Sequence, residues 1–148
     1  MAKKLIEFGH SPEKVLKDLC DGDKYFEFRQ FAVMDYCGNI AVRTGNKTRP
    51  WAGEVVGANH VATGNVLVGE KVVRAMSEAY MKSEKEEIEE RFRRALEAGR
   101  DAGGQAEGQT SAAIVVFGKH EFPLVNLRVD VSAAPVGDLR RNLACFEH

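Results

Sequence analysis

The sequence predicts a single α+β domain, with antiparallel sheet and packed helices, on three observations. Two strand-like segments, 28–34 and 39–44, are joined by a tight turn at 35–38 and are predicted as an antiparallel hairpin. Later segments repeat apolar residues at the spacing of an amphipathic helix. No repeat and no shift in composition divides the 148 residues, which are enough for one hydrophobic core.

The first quarter of the chain predicts two short helices. The first ends at Gly9, and the second is capped by Ser11, opens with Pro12 and ends at Gly22. After the predicted hairpin, residues 55–63 are rich in valine and threonine, and we predict a third strand there.

Two amphipathic helices are predicted at about 67–82 and 85–98, from apolar residues at spacings of three and four. The second carries acid-before-base pairs four residues apart, which predicts a solvated charged face. A glycine-rich loop follows, then strands at 111–118 and 125–131, and a last helix from Pro135.

One of these strands is apolar throughout. Residues 112–117 read AAIVVF without alternation, which is typical of a strand covered on both faces. The predicted helices cover one face only. We expect the other face to be covered by a second sheet, by another chain or by a further part of the fold.

Composition excludes several classes of partner. The formal net charge is -1 and basic residues are interleaved with acidic ones, so neither a nucleic acid nor a membrane is a predicted partner. The three cysteines are scattered, without a metal-binding or disulfide pattern. Together with the absence of a signal peptide, reduced thiols predict a cytoplasmic protein.

The glycine-rich segment RPWAGEVVGANHVATGNVLVGEKVV, residues 49–73, is the strongest candidate for a site. It fails as a phosphate loop because Lys71 follows Glu70 and no Ser or Thr comes next. No cofactor is predicted. The four histidines lack metal-ligand spacing, so no metal is predicted; His60 stays a binding candidate because it lies within this segment.

Other candidates carry two open interpretations each. Trp51 either anchors the core or stacks on a substrate. Asn65, directly after Gly64, either caps the following helix or points its amide into a cleft. Arg128 and Asp130 share one strand face, where an ion pair is the default and substrate binding the alternative.

Four stretches together resemble one family: FRQFAVMDYCGNIAVRTG, PWAG..VG.N.VA.GN.L.GE.VV.AM..A, RALEAG..AGG...GQ.SAA..V and LRVD....PV..LRR. This is the domain of unknown function 1028, which is assigned to the N-terminal nucleophile (Ntn) hydrolase superfamily. Glu54, Thr63 and Val131 depart from its usual residues. The resemblance implies a four-layer αββα architecture, of which this chain has a part, with Trp51 and Asn65 bordering the central cleft.

The resemblance also implies an activity. Ntn hydrolases cleave amide bonds with an N-terminal Thr, Ser or Cys, whose α-amine, with a pKa of about 7.7–8.0, serves as the base. Family members normally carry about a further third of chain before the part seen here. The sequence begins Met1-Ala2-Lys3-Lys4, which offers no such nucleophile. We therefore expect a domain truncated at its N-terminus, with unknown catalytic residues and little activity alone.

The expected function is thus hydrolysis of a small amidated or peptidic substrate in intact relatives. The alternative is a non-catalytic binding or assembly module that forms a homo-oligomer through an uncovered sheet face.

Overall fold

The structure is a computed structural model that describes residues 2–146 of the chain. Met1, Glu147 and His148 lie outside the described residues, and so do the expectations that rest on Met1 and His148. The described elements are α1 (Ala2–Glu7), α2 (Pro12–Gly22), β1 (Gln30–Met34), β2 (Ile40–Thr44), β3 (Gly53–Val56), β4 (Val61–Gly64), α3 (Lys71–Lys82), α4 (Ile88–Asp101), β5 (Ala112–Phe117), β6 (Pro123–Val129) and α5 (Pro135–Phe146).

The strands form three antiparallel pairs, β1–β2, β3–β4 and β5–β6. Helix α2 packs on β1–β2, this hairpin contacts β3–β4, and α3 packs on β3–β4. Helices α4 and α5 pack on β5–β6. The α+β class is confirmed, with short antiparallel strand pairs packed against helices.

The helix signals at the N-terminus are confirmed. The Ser11 side chain accepts a hydrogen bond from the backbone N–H of Lys14, and α2 runs from Pro12 to Gly22. Two predicted starts are too early by a few residues. A short 3₁₀ turn, Phe26–Phe28, precedes β1, and the chain does not become helical until Lys71 in α3.

The prediction of one strand over residues 55–63 is wrong. The segment is a hairpin in which β3 turns back into β4, and the N–H of Gly57 donates to the carbonyl of His60 at 2.9 Å. A Cβ on residue 57 would run into the His60 imidazole, 2.5 Å from Nδ1. The turn therefore needs glycine at this position for its close approach to the ring.

The buried apolar residues form two cores. The first joins β4 to α3, and the second joins β5–β6 to α5. Their buried residues are Ala62, Leu67, Val72 and Val73 in the first and Ile114, Val125 and Leu139 in the second. No helix within residues 2–146 has the length and apolarity needed to cross a bilayer.

Strand β5 is covered on one face only by the described residues. Ile114 is buried against the helices, whereas Val115 and Phe117 on the opposite face are 43% and 64% exposed, and Leu124 of β6 is 56% exposed. We call the surface formed by Val115, Phe117 and Leu124 the open apolar face. The expected cover for it does not come from residues 2–146.

The charged side of α4 is less solvated than predicted. Arg93 is only 5% exposed and forms ion pairs with Glu90 and Glu97. Arg140 of α5 also binds Glu97, through Nε at 2.6 Å. This network joins α4 to α5, so Arg93 acts inside the helix interface and not on a free surface.

Candidate functional site

A cleft of about 350 Å³ lies where β1, the end of β4, the C-terminal end of α4 and the start of β5 meet. Apolar side chains, among them Leu67, Met76 and Leu96, form part of its wall, and we call it the polar cleft after the polar groups that share the lining. Its lining groups include the side chains of four amide residues, two hydroxyl residues and one arginine. These are Gln30, Asn65, Gln105, Gln109, Thr63, Ser111 and Arg100.

Gln30 is the polar centre of the β-side of this cleft. Its Nε2 lies 2.8 Å from Thr44 Oγ1, 3.0 Å from the carbonyl of Gly64 and 3.2 Å from that of Gly53. The register explains the contacts, because Gln30 pairs with Thr44 at one end of β1–β2, and Gly53 pairs with Gly64 at one end of β3–β4. The Gln30 amide therefore fastens the two hairpins together.

Asn65 completes this arrangement. Its Nδ2 donates to Gln30 Oε1 at 3.3 Å, and its side chain is exposed in the cleft. The interpretation of Asn65 as a helix cap is wrong, because α3 begins at Lys71 and the capping position is Glu70. Gly64 lies beside it, where a Cβ would be 2.8 Å from Leu67 Cδ1. The structure thus brings two sequence candidates, Gly64 and Asn65, into one cleft.

Leu67 holds the glycine-rich segment in place by pairing on both sides. Its N–H donates to the carbonyl of Trp51 at 3.0 Å, and its carbonyl accepts from the N–H of Trp51 at 3.2 Å. On its other side, Leu67 forms an antiparallel bridge with Gln105. The segments that carry Trp51, Leu67 and Gln105 therefore lie side by side, with Leu67 in the middle.

Trp51 lies outside the polar cleft. Its half-buried indole packs on the core of Ala62, Leu67 and Val72, and covers Gly53, where a Cβ would be 2.7 Å from the indole Cη2. This is the anchoring role. A contact of Trp51 with substrate stays a prediction.

His60 lies in a separate, mainly apolar cavity of about 260 Å³ between α3, α4 and β5. Its Nε2 is hydrogen-bonded to Ser77 Oγ at 2.7 Å, and its ring lies 4.8 Å from that of Tyr80. Burial lowers the pKa of His60, and the nearby charge of Arg91 lowers it further. A neutral imidazole is the favoured state, which fits a structural partner for Ser77.

Arg128 and Asp130 form the predicted ion pair, at 2.7 Å between Arg128 Nη2 and Asp130 Oδ1. Both side chains are well exposed beside the open apolar face. Neither lines the polar cleft, so their proposed contact with substrate remains a prediction.

Sequence reasoning missed several residues of the cleft. Gln30 was visible only as a polar residue at a strand start, and Gln105 and Gln109 as ordinary members of a glycine loop. Val66 was missed as well. It follows Asn65 with a φ of 57°, which is rare for a β-branched residue and is a mark of strained, often functional, backbone.

The side chains in the cleft can bind a ligand by hydrogen bonds and can polarise a carbonyl group of that ligand. Among the described residues that line it, none is a His, Lys, Cys, Asp or Glu, so no side chain there can serve as a general base. Within residues 2–146 no group of three or more His, Cys, Asp or Glu side chains is placed to hold a metal ion.

Comparison with known proteins gives the family. Residues 1–139 match the model of a family of unknown function, DUF1028. The chain belongs to this family. Its structure is similar to the crystal structure of protein SPO2555 from Silicibacter pomeroyi, which carries the same family model, with a TM-score of 0.87 and 32% sequence identity.

The structural match covers nearly all of this chain but not of the relative. It includes 97% of this chain and 64% of the Silicibacter chain, so the present chain spans less than two thirds of that relative's length. No protein of curated function matches the sequence.

Proposed function

We propose that the polar cleft binds the amide group of a small amidated or peptidic substrate, as part of an Ntn-type amide-bond hydrolase. The observation that carries the proposal is the convergence of four side-chain amides on a cleft of about 350 Å³. A carboxamide offers both donors and an acceptor, so several together can pair with the N–H and the C=O of a substrate amide.

Asn65 is the proposed donor to the substrate carbonyl. Its Nδ2 carries two protons and uses one on Gln30, which leaves the second for a ligand. Gln30 is itself fixed by the carbonyls of Gly53 and Gly64. A donor held in place before the reaction stabilises developing negative charge on an oxygen more than a free one does.

The nucleophile and its base are assigned to chain outside residues 2–146. The described cleft lining lacks a base, and the Silicibacter relative has more than a third of its chain outside the matched part. For residues 1–148 alone we therefore expect binding with little turnover.

Substrate binding is tested with N-acetylglycinamide, a small neutral diamide, in an NMR titration of the ¹⁵N-labelled protein. We expect shifts at Asn65, Gln30 and Gln105, and an affinity about 3- to 10-fold lower in Asn65→Ala, the value of one hydrogen bond. Asn126→Ala, at an exposed amide on β6, is the matched control and should bind as the wild type does. Shifts confined to residues outside the cleft would contradict the proposal.

A second candidate function is a homo-oligomeric assembly module, favoured by the open apolar face. The face combines exposed Val115, Phe117 and Leu124 with one positive and one negative charge, on Arg128 and Asp130. In a two-fold dimer, Arg128 of each copy would exchange its ion pair within the chain for one with Asp130 of the other copy. Sedimentation velocity over a hundredfold range of concentration distinguishes a dimer from a monomer.

A further inference from the structure

Arg100 is the only charged side chain among the described residues that line the polar cleft. A basic residue in the last turn of a helix commonly serves the helix end. That role is already filled here, because the carbonyls of Ala98, Gly99 and Arg100 accept from the N–H groups of Ala102, Gly104 and Gly103 at 2.9 Å each. The guanidinium is therefore not required as a cap.

The guanidinium of Arg100 has donors to spare. Its Nε donates to Asp101 Oδ1 at 2.8 Å, and within residues 2–146 its two Nη groups have no hydrogen-bond partner. The side chain is 42% exposed, so these groups are accessible to a ligand. The hydrogen bond to Asp101 raises the pKa of Arg100, which keeps it cationic.

The surrounding lining favours an anion. Asp101 binds Arg100 Nε from outside the cleft, and within the described residues the lining itself contains no carboxylate, so Arg100 is the one charged group that a ligand inside the cleft meets directly. Gln109 adds donors beside the arginine. A Cβ at Gly104, whose φ is 57°, would lie 2.6 Å from Gln109 Nε2 and 3.7 Å from Arg100 Cα, so the Gln109 amide lies close to the backbone of Arg100.

The loop that follows α4 is also bonded to the segment just after Asn65. The N–H of Val68 donates to the carbonyl of Gly104 at 3.1 Å, and the N–H of Ala106 donates to that of Val66 at 2.8 Å. Together with the bridge between Leu67 and Gln105, these bonds connect the loop after Arg100 to the segment after Asn65 and fix the two walls of the cleft relative to each other.

We propose that the molecule taken by the cleft is an anion, a small amide that also carries a carboxylate, and that Arg100 is the residue that selects for it. The carboxylate binds the two Nη groups of Arg100, with Gln109 beside it, while the amide meets Asn65 and Gln30. Two parallel hydrogen bonds from a guanidinium to a carboxylate give strength and orientation together. This inference rests on the proposed function, because it names the class of substrate for the same cleft.

The test compares two probes with one skeleton, N-acetylglycine, which is an anion at pH 7, and neutral N-acetylglycinamide. We expect the acid to bind about tenfold more tightly at low salt, as suits a hydrogen bond to a charged group. Arg100→Gln should remove this preference, so that the acid binds no more tightly than the amide. Arg74→Gln, at an exposed arginine of α3 outside the cleft, removes the same charge and should leave the preference intact.

The outcomes distinguish failure of the anion selection from failure of amide binding. Equal binding of both probes, or a preference that survives Arg100→Gln, overturns the selection of an anion but leaves amide binding in place. If neither probe shifts the resonances of cleft residues at millimolar concentration, the proposed function fails and the anion selection fails with it. A preference lost equally in Arg74→Gln would show a long-range charge effect and overturn the role of Arg100.

Discussion

At the scale of single residues, two glycines let the backbone lie directly against an aromatic ring. At Gly57 the backbone lies against the His60 imidazole, and at Gly53 it lies under the indole of Trp51. A methyl group at either position would displace a ring from a packed site.

Gly57→Ala should destabilise the fold by about 1–3 kcal/mol, the usual cost of overpacking. The added methyl group would push His60 away from Ser77 and Tyr80. Urea unfolding measures the change. Gly137→Ala is the control of opposite sign, because Gly137 lies in α5 with open space around it, and alanine there should stabilise by about 0.5–1 kcal/mol. Equal effects of the two substitutions would contradict the contact with His60.

His60 should also give the stability a pH dependence. Its folded pKa is lowered, first by burial and then by Arg91, whereas the unfolded value is about 6.5. The unfolded state therefore binds the proton more readily. The contribution of His60 is complete above about pH 6.5. It should decline as the pH falls towards the lower folded pKa and then level off.

The measurement is the free energy of unfolding at pH 7.5 and at pH 5.5. In His60→Gln the difference between the two pH values should be smaller than in the wild type. An identical pH dependence in both proteins would show that His60 titrates alike in the folded and the unfolded state.

At the scale of elements, α4 and α5 are joined by ion pairs as well as by apolar packing. Burial acts to raise the pKa of Glu97, but hydrogen bonds and charge from Arg140 and Arg93 outweigh it, and the pKa lies below its usual value. Glu97 is therefore ionised at neutral pH, and both arginines stabilise its negative charge.

Arg93→Met should destabilise the protein by about 2 kcal/mol, less than the ~3–5 kcal/mol for an isolated buried pair. In this variant Glu90 retains its ion pair with Arg94, and Glu97 retains its ion pair with Arg140. Neither carboxylate is left without a partner, which limits the loss of stability. Arg74→Met, in an exposed pair with Glu70, should cost less than about 0.5 kcal/mol in the same thermal or urea unfolding experiment. A smaller effect for Arg93 than for Arg74 would contradict the buried network.

The helices could be predicted from the sequence, and the polar cleft could not. The apolar spacing in α3, α4 and α5 comes from neighbours in the chain, which the sequence shows directly. The turn at Gly57 was overlooked because the valines on both sides suggested one continuous strand. Gln30 and Asn65 are 35 residues apart and meet only when two hairpins stack, which no local pattern reveals.

At the scale of the whole molecule, the open apolar face is the surface on which the proposed self-association depends. Leu124→Lys should lower self-association, if the face pairs with a second copy, and should leave the monomer stable because Leu124 is mostly exposed. The check is the melting temperature at two protein concentrations tenfold or more apart, which rises with concentration in a dimer and does not in a monomer. A wild-type melting temperature that is independent of concentration would count against the assembly module.

The residues that line the cleft come from two parts of the chain, one before and one after the turn between α3 and α4. Gln30, Thr63 and Asn65 come from the chain before this turn, and Arg100 and Gln109 come from the chain after it. A molecule bound in the cleft would thus act as a crosslink between the two halves of the chain. Amide hydrogen exchange should then slow on both sides at once, at Leu67 and at Ala106, although they lie in different halves.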